Sequence, residues 1–290
     1  MIASRPKTWG VAISPVLTGL AIALSDTGLF DPFIAFLTAL LAIVMQVISN
    51  MENDAGYTKR KAERSNRKGL PRATSLGLLS IQQVERAIVF LAIIALAITA
   101  YFIFAVSWGF LIITLASIAA AYLYMGGPKP IAYTPFGEVV VLLFFGLIAV
   151  CGTYYLQVQT ISFNVLIVGL ALGLIASSVL LVNNYRDRLH DASINRQTLV
   201  VILGEKKSLV VYQCFLYIPY LLVLGLVFVQ LDRWPYLISF ASLPAVISLP
   251  RLLKNNEGYE LNSVLFSTVK LELLFALTLT VGALLHYALS

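Results

Sequence analysis

The chain has 290 residues, 59% of them hydrophobic and 12% charged, with a formal net charge of +6 and a mean hydropathy of +0.88. Soluble domains carry about 25% charged residues, so a water-exposed globule, a disordered chain and a fibrous one are excluded, and a polytopic membrane protein remains. The positive excess lies in loops and reads as a topology signal rather than nucleic-acid affinity.

Apolar runs long enough to cross a bilayer predict nine spans in one all-α domain over residues 1–290, at 9–25, 32–51, 83–106, 108–125, 137–157, 162–182, 208–230, 235–250 and 268–288. The eighth is the shortest and is interrupted by Pro244 and Pro250. The fourth follows the third so closely that the two must form a tight hairpin. Residues 1–8 show neither a cleavable signal nor a transit peptide. With the N-terminus inside, segments 1–8, 52–82, 126–136, 183–207 and 251–267 and the helix ends beside them hold 19 of the 20 Lys and Arg residues, and only Arg233 falls outside. That bias predicts an N-in, C-out topology. Cys151 and Cys214 sit in apolar runs and read as packing residues, not a disulfide or metal site.

Two polar stripes stand at the ends of spans two and six. Asn50, Asn53, Asp54 and Tyr57 fall at i, i+3, i+4 and i+7 of a continued helix, and Asn183, Asp187 and Asp191 at i, i+4 and i+8. Oxygen ligands at such a rim suit Mg²⁺, which takes one or two carboxylates and completes its shell with water and phosphate oxygens. Cationic residues surround the stripes: Lys7, Lys59, Arg60, Arg67, Arg72, Lys129, Arg186 and Arg196. Carboxylates, Mg²⁺ and guanidinium groups together describe a diphosphate pocket. The plain alternative, a solvated helix end, accounts for loop charges but less well for two matching Asn/Asp stripes. Between them, Gly126-Gly127-Pro128 ends span four sharply and presents Lys129, while Glu138 opens span five as a buried acid or a helix-start partner. Tyr124, Phe144, Phe145, Tyr154 and Tyr155 offer aromatic faces, a pattern that packing alone also produces.

In order along nearly the whole chain, Arg5-Pro6-Lys7-Thr8, Asn53-Asp54, Gly126-Gly127-Pro128, Phe144-Phe145-Gly146, Gly152-Thr153-Tyr154-Tyr155 and Asn183 to Asp191 with Arg196, Thr198, Leu199 and Leu203-Gly204 resemble the UbiA superfamily of membrane prenyltransferases. Within it the match is closest to the 1,4-dihydroxy-2-naphthoate branch. The resemblance implies nine helices around a cavity open to lipid. It also implies Mg²⁺ as cofactor, a polyprenyl (or phytyl) diphosphate and an aromatic acceptor as substrates, and transfer with loss of CO₂ and diphosphate in menaquinone or phylloquinone synthesis. The expected place is the bacterial inner membrane, with the site facing the cytoplasm.

Carried over, Asp54, Asp187, Asp191 and Lys129 are the expected catalytic residues, and Asn50, Asn53, Asp54, Asn183, Asp187 and Asp191 the metal ligands. Lys7, Arg67, Arg72, Lys129, Arg186 and Arg196 would bind diphosphate, and Tyr124, Phe144 and Tyr154 the prenyl and aromatic groups. The chain departs from the family pattern at Tyr57 and Lys61, where acids usually stand. His190, at i+3 from Asp187, is expected to face water. A different acceptor (4-hydroxybenzoate, homogentisate or haem) is the alternative within the superfamily. A transporter would place its charges at mid-bilayer rather than at one rim, and a CDP-alcohol phosphotransferase would need a D-G-x-x-A-R run that this chain lacks.

Overall fold

In a computed structural model that describes residues 2–62 and 68–290, the chain folds into helices and turns, with no strand among the described residues. After a 3₁₀ turn at Pro6–Thr8 come α1 (Gly10–Thr27), α2 (Pro32–Lys59), α3 (Ile81–Ala105) and α4 (Gly109–Met125). Then follow α5 (Gly137–Val158), α6 (Phe163–Ser193), α7 (Leu199–Val229), α8 (Leu231–Asn255) and α9 (Leu261–Leu289). Eight of the spans are long and apolar enough to cross a membrane, and the 17-residue α4 is the short one. The outward side chains agree with a lipid surround: Phe90, Ile93, Phe104 and Phe228 all stand exposed, Phe104 by 90%. In water such a surface would be an aggregation liability.

Helix starts follow local chemistry. Asp31 caps α2 by accepting from Phe33 N and Ile34 N, with Pro32 at the first helical position. Ser80 and Gln83 form a reciprocal capping box at α3, and Thr198 accepts from Val201 N at α7. Gly126 and Gly127, the latter at φ 69°, end α4 as the sequence requires. Arg60 crosses from α2 to donate to the Met125 carbonyl at 2.9 Å and to the Gly127 carbonyl, satisfying groups that the helix end leaves open.

The three largest boundary differences from the sequence reading have one reason: hydropathy stops at the membrane surface but the helix does not. α2 extends eight residues past 51, α6 continues to Ser193 rather than 182, and α7 begins at Leu199 rather than 208. The expected 183–207 loop is therefore mostly helix, with a break in helical backbone at Gly204 (φ 72°). α8 opens as a 3₁₀ stretch, Leu231–Ser242, before turning α-helical, so its prolines shape the whole span.

Packing runs in a sequence of neighbours. α1 lies on α2, on α9 and on the second half of α5; α6 pairs with α7 and α9, and α2 with α3 and α4. α5 contains a π-helical segment, Leu142–Ile148, and presses it against α6. A Cβ on Gly146 would sit 2.4 Å from Gly173 Cα and 2.5 Å from the Gly169 carbonyl, so three glycines bring the two backbones into contact. α1, α2, α4, α5 and α6 enclose a cavity of about 310 Å³. At the far end of the bundle, Arg233 donates to Asp26 at 2.6 Å and to Tyr236 Oη at 2.9 Å. Asp26 also accepts from Tyr154 Oη at 3.1 Å.

Candidate active site

Both stripes sit on helix, as their spacing predicts, and the two ends converge through Tyr57. Its ring, 2% exposed, lies under the Arg72 guanidinium (3.5 Å to the centroid) and within 5.2 Å of that of Arg196. Its hydroxyl accepts from Arg196, which also donates to Asp191 Oδ1 at 2.9 Å and to the Ala132 carbonyl at 2.8 Å. The phenol that departs from the family's acidic pattern thus stacks with one cation and hydrogen-bonds another, joining α2 to the end of α6. Burial pushes the Arg196 guanidinium down to about 10, which leaves it charged at neutral pH. Tyr57→Phe keeps the stacked ring but removes the acceptor. A hydrogen bond to a charged group is worth about 1.5–3 kcal/mol, so Tyr57→Phe should melt lower in detergent, and Tyr57→Ala lower still.

On α6, Arg186 grips Asp187 with two bonds, 2.9 Å from Nε and 2.7 Å from Nη2, and reaches Asn183 Oδ1 at 2.7 Å and Asn262 Oδ1 of α9 at 2.8 Å. Arg186, Asp187, Asp191, Arg72 and Arg196 are all buried. Arg186 is paired with Asp187 and Arg196 with Asp191 within the protein, as buried charges must be.

Several expected roles are altered by the geometry. Asp54 is fully buried and accepts from Ala73 N (2.8 Å), Thr74 N (2.9 Å) and Thr74 Oγ1. Both oxygens thus hold the turn that carries Arg72. Arg72 in turn donates to Asn53 Oδ1 at 3.2 Å. Asn50 uses its amide to hold the N-terminal segment, donating to the Ser4 carbonyl (3.0 Å) and Thr8 Oγ1 (3.2 Å), while also lining the cavity. Asn53, Asn183, Tyr124 and Phe144 line it too, as does Phe145.

Tyr154 does not. It lies ten residues along α5 from Phe144, bonded to Asp26 at the opposite end, so the expected substrate contact is corrected to a far-end hydrogen bond. His190 is buried, with Nε2 2.8 Å from the Ala62 carbonyl, and the water-facing expectation is likewise corrected. Lys7 is exposed over the Phe266 ring at 5.3 Å, and Lys129 is exposed beyond the Gly127 turn. Arg67 lies outside the described residues. Arg60, expected among the cations around the stripes, is spent on the Met125 and Gly127 carbonyls; Asn262 and Thr74 were not foreseen, and no local signal marks them, because each partner is distant in sequence.

The helical bundle defines a membrane protein with an apolar cavity whose lining includes Asn50, Asn53 and Asn183, the last two bonded to Arg72 and Arg186. The family model for UbiA prenyltransferases matches residues 12–286. The chain belongs to the UbiA prenyltransferase family, and is accordingly a prenyltransferase and an integral membrane protein. It is 32% identical to the 1,4-dihydroxy-2-naphthoate octaprenyltransferase of Escherichia coli, over 97% of this chain and 93% of that one. To the protein of the same name from Bacillus subtilis it is 27% identical, over 98% and 91%. Its fold matches an Aeropyrum pernix UbiA homologue with a TM-score of 0.72 at 15% identity, over 95% and 97% of the chains. It also matches an Archaeoglobus fulgidus UbiA homologue bound to GPP and Mg²⁺, with a TM-score of 0.68 at 15% identity over 97% and 98%.

Proposed function

We propose that the protein transfers a polyprenyl group from its diphosphate to 1,4-dihydroxy-2-naphthoate, with loss of CO₂ and diphosphate. The observation that carries this reading is that Asn53 and Asn183, which line one apolar cavity, are held by the buried guanidinium groups of Arg72 and Arg186, the latter paired with Asp187. The likeness to relatives named for that acceptor supports it.

The donor set suits Mg²⁺: Asp187, Asp191 and Asn183 share one face of α6, and Asn53 faces the same cavity. Hard oxygen ligands with one or two carboxylates are what that ion takes. Asp187 and Asp191 now face guanidinium groups. A bound diphosphate would draw Arg186 and Arg196 to its own oxygens and free the carboxylates for the metal. When bound, Mg²⁺ supplies positive charge against the departing diphosphate. Arg72, Arg186 and Arg196 add to that charge from fixed positions. Tyr124, Phe144 and Phe145 present ring faces to the allylic fragment as it becomes cationic. The apolar walls exclude water that would quench it. A tail longer than the cavity extends into lipid.

The basic rim is assigned to the cytoplasmic face of a bacterial inner membrane from its charge. The test is prenyl transfer from farnesyl diphosphate to 1,4-dihydroxy-2-naphthoate in inverted and right-side-out vesicles, with Mg²⁺ or excess EDTA. Product in inverted vesicles alone, lost with EDTA and restored by Mg²⁺, is expected. Product only from another aromatic acid overturns the acceptor, EDTA-resistant product overturns the metal, and activity confined to right-side-out vesicles overturns the orientation.

A further inference from the structure

The cavity is lined by apolar, hydroxyl and amide groups with one exception: Arg5, which among the described residues is its sole charged side chain. Three side chains fix the short segment that carries it. Asn50 of α2 donates to the Ser4 carbonyl at 3.0 Å and to Thr8 Oγ1 at 3.2 Å. Gln46 donates to the Thr8 carbonyl at 3.3 Å, and Trp9 Nε1 to the Ser4 carbonyl at 2.9 Å. The Arg5 carbonyl accepts from Thr8 N and from Thr8 Oγ1, both at 2.9 Å. Arg5 itself is held at φ 46° just before Pro6, a left-handed backbone that a non-glycine residue keeps only where its surroundings impose it.

The same bonds give the depth of this segment. α2 runs from Pro32 to its rim end at Lys59. At about 1.5 Å per residue, Asn50 lies about 5 Å and Gln46 about 10 Å below Asn53. Residues 4–8 rest against α2 between those two levels, so the backbone at Arg5 is on the membrane side of Asn53. One anion, the diphosphate, is placed above with Arg72 and Arg186, which hold Asn53 and Asn183. A further cation one turn deeper, facing an otherwise uncharged volume, has a second anion to meet.

We propose that Arg5 binds the carboxylate of the aromatic acceptor, and so selects an aromatic acid and sets which ring carbon meets the allylic fragment. The inference rests on the aromatic-acid part of the proposed function and adds the group that recognises the acid. A guanidinium fork matches a carboxylate with two parallel hydrogen bonds, and such a pair fixes the rotation of the ring to which the carboxylate is attached. Apolar walls strengthen the attraction by keeping water away from it. Tyr124, Phe144 and Phe145 line the same cavity, so ring surface for the acceptor's body and a positioned cation for its acid group face one volume. The prenylated product has lost that carboxylate as CO₂, so the same contact favours substrate over product.

The test measures kcat and KM for the wild type, Arg5→Gln and Arg5→Lys in membranes with farnesyl diphosphate and Mg²⁺. Two acceptors are compared: 1,4-dihydroxy-2-naphthoate, and 1,4-dihydroxynaphthalene, which has the same ring and hydroxyls without the carboxylate. The readout is the preference for acid over diol, as a ratio of kcat/KM. Hydrogen bonds to charged groups are among the strong ones, so Arg5→Gln should raise KM for the naphthoate by at least about tenfold. The preference should fall by the same factor, with KM for farnesyl diphosphate unmoved. Arg5→Lys keeps the charge without the two-pronged fit and should lose less. Where the diol is not turned over, its inhibition constant against the naphthoate supplies the comparison. A rise in KM for farnesyl diphosphate with the acceptor constants intact would assign Arg5 to the diphosphate. Equal losses on acid and diol would make it a structural residue, and either result overturns the proposal, as does a wild type that prefers the diol. If Arg5→Gln does not fold, judged by melting in detergent, the preference of Arg5→Lys decides by the same criterion. Wild type inactive on naphthoate but active on another aromatic acid fails the acceptor's identity alone, and the three proteins are then compared on that acid and its decarboxylated counterpart.

Discussion

Asp187→Asn is expected to lower kcat by about 10³ while leaving the fold recognisable. The amide keeps the shape of the carboxylate but not its charge. Arg186 would lose its two-bond partner and hold only Asn183 and Asn262 by charge-assisted bonds. Breaking a buried pair by removing one partner costs about 3–5 kcal/mol, so a lower melting temperature accompanies the kinetic loss. The larger effect falls on catalysis, where one misplaced charge-stabilising group costs about 10²–10³ and the face of α6 proposed to hold Mg²⁺ would lose one of its two carboxylates. Steady-state rates against Mg²⁺ concentration, with melting followed in parallel, separate the two effects. A rate that recovers fully at high Mg²⁺ would reduce Asp187 to a question of metal affinity. A variant with wild-type rate at ordinary Mg²⁺ would remove Asp187 from the site.

Gly146→Ala is expected to be the most damaging single methyl in the bundle. The atoms it would meet, Gly173 Cα, the Gly169 carbonyl and Gly173 N (2.7 Å), are all backbone, so no side chain can swing aside. Overpacking of this kind costs about 1–3 kcal/mol and occasionally more. In a chain of this size each kcal/mol shifts melting by about 2–4 °C. Melting should fall by about 2–12 °C, and because Gly146 lies inside the π-helical turn that carries Phe144 and Phe145, activity should fall with it. Gly225→Ala on α7, where an added Cβ meets nothing within 4 Å, is the control and should leave both unchanged. Equal melting of the two variants would mean that α5 and α6 are not held this closely.

Span count was legible because long apolar runs separated by charged or turn-forming residues leave little freedom. The Gly126-Gly127 stop and the two stripes were legible because helical spacing is a local property. What the sequence concealed is which of several polar atoms each side chain meets. Asp54 and Asp187 look alike in their motifs, yet one is consumed by a backbone turn twenty residues away and the other by a neighbouring arginine. Tyr154 was read by residue type, although its distance along α5 puts it at the other end of the molecule. His190 was read from helical phase alone, and its partner is a carbonyl in the turn after α2. Tyr57 reads as a defect in a metal motif and turns out to be the joint between the two halves of the rim.

The far-end pair of Arg233 and Asp26 bears on how the molecule sits in an energised membrane. Because the exceptional arginine is neutralised by its partner, the far end presents Asp31 and, against His286, Asp232, while Arg60, Arg72, Arg186 and Arg196 are gathered at the opposite end. Charge is thus divided unequally between the two ends of the bundle. With about 2.3 kcal/mol per charge for each 100 mV, an interior-negative potential adds a continuous torque toward the orientation that puts the basic rim on the negative side.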